Sequence, residues 1–144
     1  MKRFSWILVI LWMALIFYLS QKPATESNEL SIWITEKIVE TVEKVASNVD
    51  IDIRSFNHVV RKNAHFFSYL ILGILVANGL RSCNINGYRS FLVALLICIL
   101  YAVSDEIHQL YVPGRSGQVK DVIIDSAGAL VGILGLNGIR RRAQ

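Results

Sequence analysis

"SDEIHQLYVPGRSGQVKDVIIDSAG", residues 104–128, follows a long apolar run yet carries Asp105, Glu106, His108, Arg115, Lys120, Asp121 and Asp125. The run before it, "SFLVALLICILYAVS", covers only residues 90–104. A helix needs about 20 mostly apolar residues to cross a bilayer, so that run alone is too short. It reaches full length only by continuing through Asp105–Gln109 to about Val112. This reading puts "DEIHQ" on the end of a membrane helix instead of in a loop. Pro113-Gly114 then ends the helix, because proline has no N–H for the ladder and glycine permits a tight reversal.

Three more apolar runs stand around this one: Phe4–Ser20, Lys62–Leu80 and Asp121–Ile139. The chain of 144 residues is 53% hydrophobic and only 18% charged. Its mean hydropathy is +0.46, too high for an ordinary soluble domain. The sequence therefore predicts one all-α membrane domain over residues 1–144, a bundle of four transmembrane helices. The expected spans are about 4–20, 62–80, 90–112 and 121–139, with an outer segment at 21–61. Phe4–Ser20 follows Lys2-Arg3 as a signal peptide would, but no small-x-small cleavage site follows it, so it is read as an uncleaved span. Cys83 and Cys98 flank or sit within apolar runs and make no disulfide framework.

Orientation follows from the basic residues. With the N-terminus inside, the short inner segments hold Lys2, Arg3, Arg81, Arg89, Arg140, Arg141 and Arg142 and no acidic residue. All 11 Asp and Glu then lie on the other side. The expected location is a bacterial cell membrane, multi-pass, with both termini cytoplasmic. The terminal "RRR" reads as a topology anchor. No basic run is interleaved with aromatics, so no nucleic-acid partner is expected.

Within the outer segment, Leu30, Ile34, Ile38, Val42, Val45 and Val49 recur at helical spacing among Glu29, Glu36, Glu40, Glu43 and Lys44. This predicts an extracytoplasmic amphipathic helix between the first two spans. Its apolar face would rest on the membrane surface, on the ends of the spans or on the bundle itself.

The ionisable residues of the spans meet at one depth, the outer third of the bilayer. Lys62, His65 and Tyr69 share one helical face, Asp105, His108 and Gln109 a second, and Asp121, Asp125 and Gly128 a third. Gly128 and Gly132 form a small-xxx-small pattern that lets helices approach closely. An Asp, Lys or Arg at a helix centre costs about 2.5–3.5 kcal/mol, so such groups should face one another. Taken singly, each has a structural explanation: His65 as a hydrogen-bonded histidine, Asp121 as a dipole partner, Arg115 as a loop charge, Tyr69 and Tyr111 as interfacial aromatics. Taken together, they predict an outward-facing polar pocket, with a structural salt-bridge network as the competing account.

The motifs "YLSQ" at the end of the first run, "RKNAHFFSYLILG" at the second and "SDEIHQLYVPGRSGQVKDVIIDSAGALVG" across the third and fourth resemble the VanZ-like family of small bacterial integral membrane proteins. The resemblance runs in order along nearly the whole chain. The motif positions it leads one to expect are Lys62, His65, Glu106, His108, Gln109, Arg115, Asp121 and Asp125. The family takes its name from a protein associated with teicoplanin resistance, so the resemblance implies a place in the cell envelope and not a reaction.

Two functions follow as expectations. In the first, the pocket recognises the headgroup of a membrane lipid, an envelope glycolipid or a lipid-linked precursor, with Lys62, Gln109 and Arg115 as binding residues. An Arg would grip phosphate or carboxylate bidentately. Antibiotic resistance would then follow from altered access to the cell surface. In the second, the protein is an enzyme acting on a lipid-linked phosphate or glycolipid. His65 or His108 would be the general acid or base, with Glu106, Asp121 or Asp125 to orient it or to hold a divalent metal. These ligand types would accept Mg²⁺ or Zn²⁺, but their spacing matches no standard motif such as HExxH, so no cofactor is assigned. Ser104 and Ser116 are nucleophile candidates by proximity only. A transporter is disfavoured because no polar path leads to the inner side, although a homo-oligomer would be able to create one.

Overall fold

The computed structural model describes residues 2–45 and 52–142, apart from some side chains within its helices. Five helices follow in chain order: α1 Lys2–Ser20, α2 Ala24–Val45, α3 Ile53–Ser82, α4 Gly87–Gln109 and α5 Val119–Arg142. There is no strand among the described residues. Three of the helices are long and apolar enough to cross a membrane: Arg3–Ser20, Phe56–Ser82 and Gly87–Gln109. Their outward faces carry exposed Ile10, Leu11, Phe67, Leu96 and Leu100. Helices apolar on the outside as well as the inside belong in lipid.

Cross-contacts set the directions. Trp6 Nε1 donates to Cys83 Sγ at 3.4 Å and Trp12 Nε1 to the Ser68 carbonyl at 2.9 Å, so α1 runs antiparallel to α3. Tyr101 Oη donates to the Met13 carbonyl at 2.6 Å, and the His108 ring lies on Phe17, so α4 runs with α1. Between α3 and α5, Lys62 meets Asp121, His65 meets Asp125 and Arg81 meets Asn137, so these two helices run parallel. They form the most extensive helix pair in the bundle. A Cβ at Gly128 would run into the Phe66 carbonyl, and one at Gly132 into that of Leu70. The small residues let the two backbones touch, as the small-xxx-small spacing requires.

The core of the bundle is Tyr69, Leu72 and Val76 on α3, Ala94, Cys98 and Ala102 on α4, Ala129 and Ile133 on α5, and Val9 on α1. On α4 the buried stripe is Ser90, Ala94, Cys98 and Ala102, then Asp105, Glu106 and Gln109. The face that packs small apolar residues deep in the bundle thus presents carboxylates at its end. Both cysteines are free, Cys98 buried and Cys83 exposed in the α3–α4 turn. That turn uses left-handed backbone at Asn84 (φ 65°) and Gly87 (φ 64°), where asparagine and glycine are tolerated.

Two boundaries near the site differ from the sequence reading. α4 does include Asp105–Gln109, but it ends there, and residues 110–112 continue as tight turns: Leu110, Tyr111 and Val112 N–H donate to the carbonyls of Ile107, His108 and Gln109. α3 starts at Ile53, well before Lys62. At about 1.5 Å per residue its 30 residues reach about 45 Å, more than the hydrocarbon core, so its first turns project beyond the spans. There it packs against α2 through a polar seam. Thr35 Oγ1 donates to Asn57 Oδ1 at 3.3 Å, and Asn57 Nδ2 donates to Asn28 Oδ1 at 2.8 Å.

That seam also changes the reading of α2. Its buried stripe is Ser31, Thr35 and Val39, whereas Trp33, Ile34 and Ile38 are exposed. Ile34 and Ile38 of the predicted apolar stripe are therefore not on the buried face. Val49, and the side chains of Leu30, Val42 and Val45, lie outside the described residues.

Candidate functional site

The parallel pairing of α3 and α5 places His65 Nδ1 3.4 Å from Asp125 Oδ1, and Lys62 Nζ 3.9 Å from Asp121 Oδ1. Glu106 joins the first pair from α4. One nitrogen of His65 and one carboxylate oxygen each of Glu106 and Asp125 all lie within 4.8 Å of one another. Asp125 is fully buried and Glu106 is 5% exposed. Despite the short approach of His65, neither Asp125 oxygen has an aligned hydrogen-bond donor. Glu106 Oε2 accepts from the Gln118 backbone N–H at 2.7 Å, while Oε1 has no donor. Gly117 makes that bond reachable: a Cβ there would lie 2.6 Å from the Glu106 carbonyl, so only glycine lets the loop come so close. Asp105, also buried, accepts from Gln109 Nε2 at 3.3 Å through Oδ2 and leaves Oδ1 unpartnered. Buried carboxylates without donors cost energy that a fold would not retain for packing alone.

Beside this cluster lies a cavity of about 180 Å³ between the ends of α1, α2, α3 and α4. Arg61, Arg115 and Lys22 line it, together with His65 and Asp105. Its walls include Ile16, Leu19, Ile34 and Val60. Lys22 is tied to Glu26 at 3.2 Å. Arg115 sits in the loop after α4, with one terminal nitrogen 3.5 Å from the Leu19 carbonyl and Nε buried without an acceptor. Burial and the nearby Arg61 hold its guanidinium below the usual arginine range. An arginine stays charged nonetheless, so two guanidinium groups line the cavity, and Nε of Arg115 has no acceptor. The loop itself is braced by the Ala24 N–H donating to the Pro113 carbonyl at 3.2 Å, and by left-handed Gly114 (φ 74°).

The residues singled out in the sequence divide into groups. His65, Glu106 and Asp125 come together. Lys62 and Asp121 pair with each other one turn away, and Lys62 does not line the cavity. Gln109 orients Asp105 instead of lining the cavity. Arg115 does line it. His108 packs against Phe17 with ring centroids 4.5 Å apart and planes tilted by 33°, and it is not one of the three clustered residues. Ser104 is exposed and donates to the Tyr101 carbonyl within its own helix, and Ser116 is exposed in the loop, so neither is placed as a nucleophile. The sequence reading missed Arg61 and Lys22. Arg61 is one turn before His65, so a face written as Arg61, His65 and Ser68 would have found it.

A family model described as VanZ/LLP1 matches residues 4–140. No curated protein and no solved structure matches the chain. The matched region takes in the cluster, the cavity and nearly all of the five helices. With so much of its length matched, the chain belongs to the VanZ/LLP1 family.

Proposed function

We propose that this protein is a four-span membrane protein whose outward end binds the anionic headgroup of a cell-envelope lipid. The observation that carries the reading is the cavity itself: Arg61, Arg115 and Lys22 stand at apolar walls formed by Ile16, Leu19, Ile34 and Val60. A lipid presents the same combination, a phosphate or carboxylate joined to hydrocarbon, and arginine suits those anions bidentately.

The fourth span is α5. Its parallel run beside α3 and its exposed Ile123, Val131 and Leu134 support that assignment. The Lys2 end of α1, the α3–α4 turn and the arginine-bearing end of α5 then share the cytoplasmic side, as a basic inner face requires. α2 lies at the outer surface with Trp33 and Ile38 toward the lipid. By holding an envelope lipid or lipid-linked precursor, the protein would alter how a teicoplanin-type antibiotic reaches the surface. A second reading, an enzyme acting on a lipid-linked phosphate, is favoured by the grouping of His65 with Glu106 and Asp125; turnover of a lipid-linked phosphate by the purified protein would establish it.

The test is to purify the protein in mild detergent and identify co-purifying lipids by mass spectrometry, beside Arg61→Gln and Arg115→Gln. Enrichment of an anionic or lipid-linked species, lost in both folded variants, is expected. Equal lipid content in all three proteins would overturn the reading.

A further inference from the structure

We infer that His65, Glu106 and Asp125 form a binding site for one divalent transition-metal ion, Zn²⁺ or Mn²⁺, at the meeting point of α3, α4 and α5. Four observations point there. The first is geometry: three potential ligand atoms from three helices lie within 4.8 Å of one another. Ligands at about 2.1 Å on one tetrahedral ion stand about 3.4 Å apart, so side-chain shifts of up to about 1 Å close the set.

The second is the unpartnered lone pairs. Both Asp125 oxygens and Glu106 Oε1 lack donors, in side chains that are fully or almost fully buried. A cation would satisfy them all at once, whereas His65 can offer one proton from the side that faces Asp125. The third is charge. Two buried carboxylates beside one imidazole remain net negative even with the imidazole protonated, and Lys62 faces Asp121 at 3.9 Å one turn away. A dication with neutral His65 brings the set to neutrality.

The fourth is rigidity. Glu106 is oriented by the Gln118 N–H on its other oxygen, and Asp125 is held by the contact of Gly128 and Gly132 with the α3 backbone. Ligands fixed by neighbours in this way bind without large reorganisation. An imidazole with two carboxylates suits zinc or manganese, whereas magnesium and calcium favour oxygen alone. His65 also lines the cavity, so the ion site opens toward it.

The ion site does not depend on the headgroup reading, and one set of samples tests both. The protein, purified in detergent, is stripped with a chelator and titrated with Zn²⁺ or Mn²⁺ alone, following the unfolding temperature and the bound metal by elemental analysis. About one equivalent is expected, with a raised unfolding temperature, and at least about tenfold weaker binding in Asp125→Asn and Glu106→Gln. Each variant keeps side-chain size; should one fail to fold, the other still reads the result. A folded wild type that takes up neither ion, or folded variants that bind as well as wild type, would overturn the site. Lipid content measured on the same samples separates the two proposals. Metal bound without lipid supports the ion site and removes the headgroup, whereas lipid bound without metal does the reverse.

Discussion

His65 Nδ1 on α3 stands 3.4 Å from Asp125 Oδ1 on α5, yet neither oxygen of that fully buried aspartate has an aligned donor. The pair is close enough to interact and poorly arranged to hold a fold together. A structural ion pair would show the opposite, good geometry and filled lone pairs.

This gives the first expectation. In chelator-treated protein, Asp125→Asn should unfold at the wild-type temperature or above it, because the change removes a buried charge and keeps the volume. Thermal unfolding in detergent measures it. A loss of about 3–5 kcal/mol, as when a buried ion pair is broken, would mean that the cluster is structural.

The packing of α3 on α5 gives the second. Gly132→Val should force the backbones apart at Leu70 and cost about 1–3 kcal/mol or more, with loss of the cluster as well. Gly135→Ala should cost little, since a Cβ there meets nothing within 4 Å. Equal unfolding temperatures for the two variants would contradict the close approach.

Much of this arrangement is legible in the sequence. The shortness of residues 90–104 forces "DEIHQ" onto α4, and the structure has it there. Gly128 and Gly132 announce the face that α5 turns to α3. The hydropathy reading fails where the helix is not apolar. Residues 53–61 of α3 carry the polar Asn57, His58 and Arg61, so a search for apolar runs starts the helix too late. The same cause hides Arg61, which belongs to that polar end. α2 departs in part from the usual rule that apolar residues face inward. It docks on Asn57 through Thr35, and Ser31 is buried beside Thr35, so the inward face is partly polar and the apolar residues Trp33 and Ile38 are left outside.

Native cysteine offers a topology test. Cys83 is exposed in the α3–α4 turn, and Cys98 is buried in the core. A membrane-impermeant maleimide should modify Cys83 in permeabilised cells and leave it untouched in intact ones. Labelling in intact cells would reverse the proposed orientation.

The polar seam of α2 gives a further expectation. Asn57→Ala leaves Thr35 and Asn28 without their partner in a partly buried site, at a cost of about 1–3 kcal/mol. Amide hydrogen exchange should rise in α2 and in the first turns of α3, and not in α4 or α5. Unchanged exchange in α2 would show that the seam does not hold it.

The central claim is that Arg61 and Arg115 grip an anionic headgroup. Native mass spectrometry of the detergent-purified protein, titrated with an anionic phospholipid and with its zwitterionic counterpart, tests it most directly. Wild type should retain the anionic lipid in preference. Arg61→Gln with Arg115→Gln should weaken that retention at least about tenfold, since a charge-assisted hydrogen bond contributes about 1.5–3 kcal/mol. Equal retention of both lipids by wild type, or no loss in the double variant, would contradict the account.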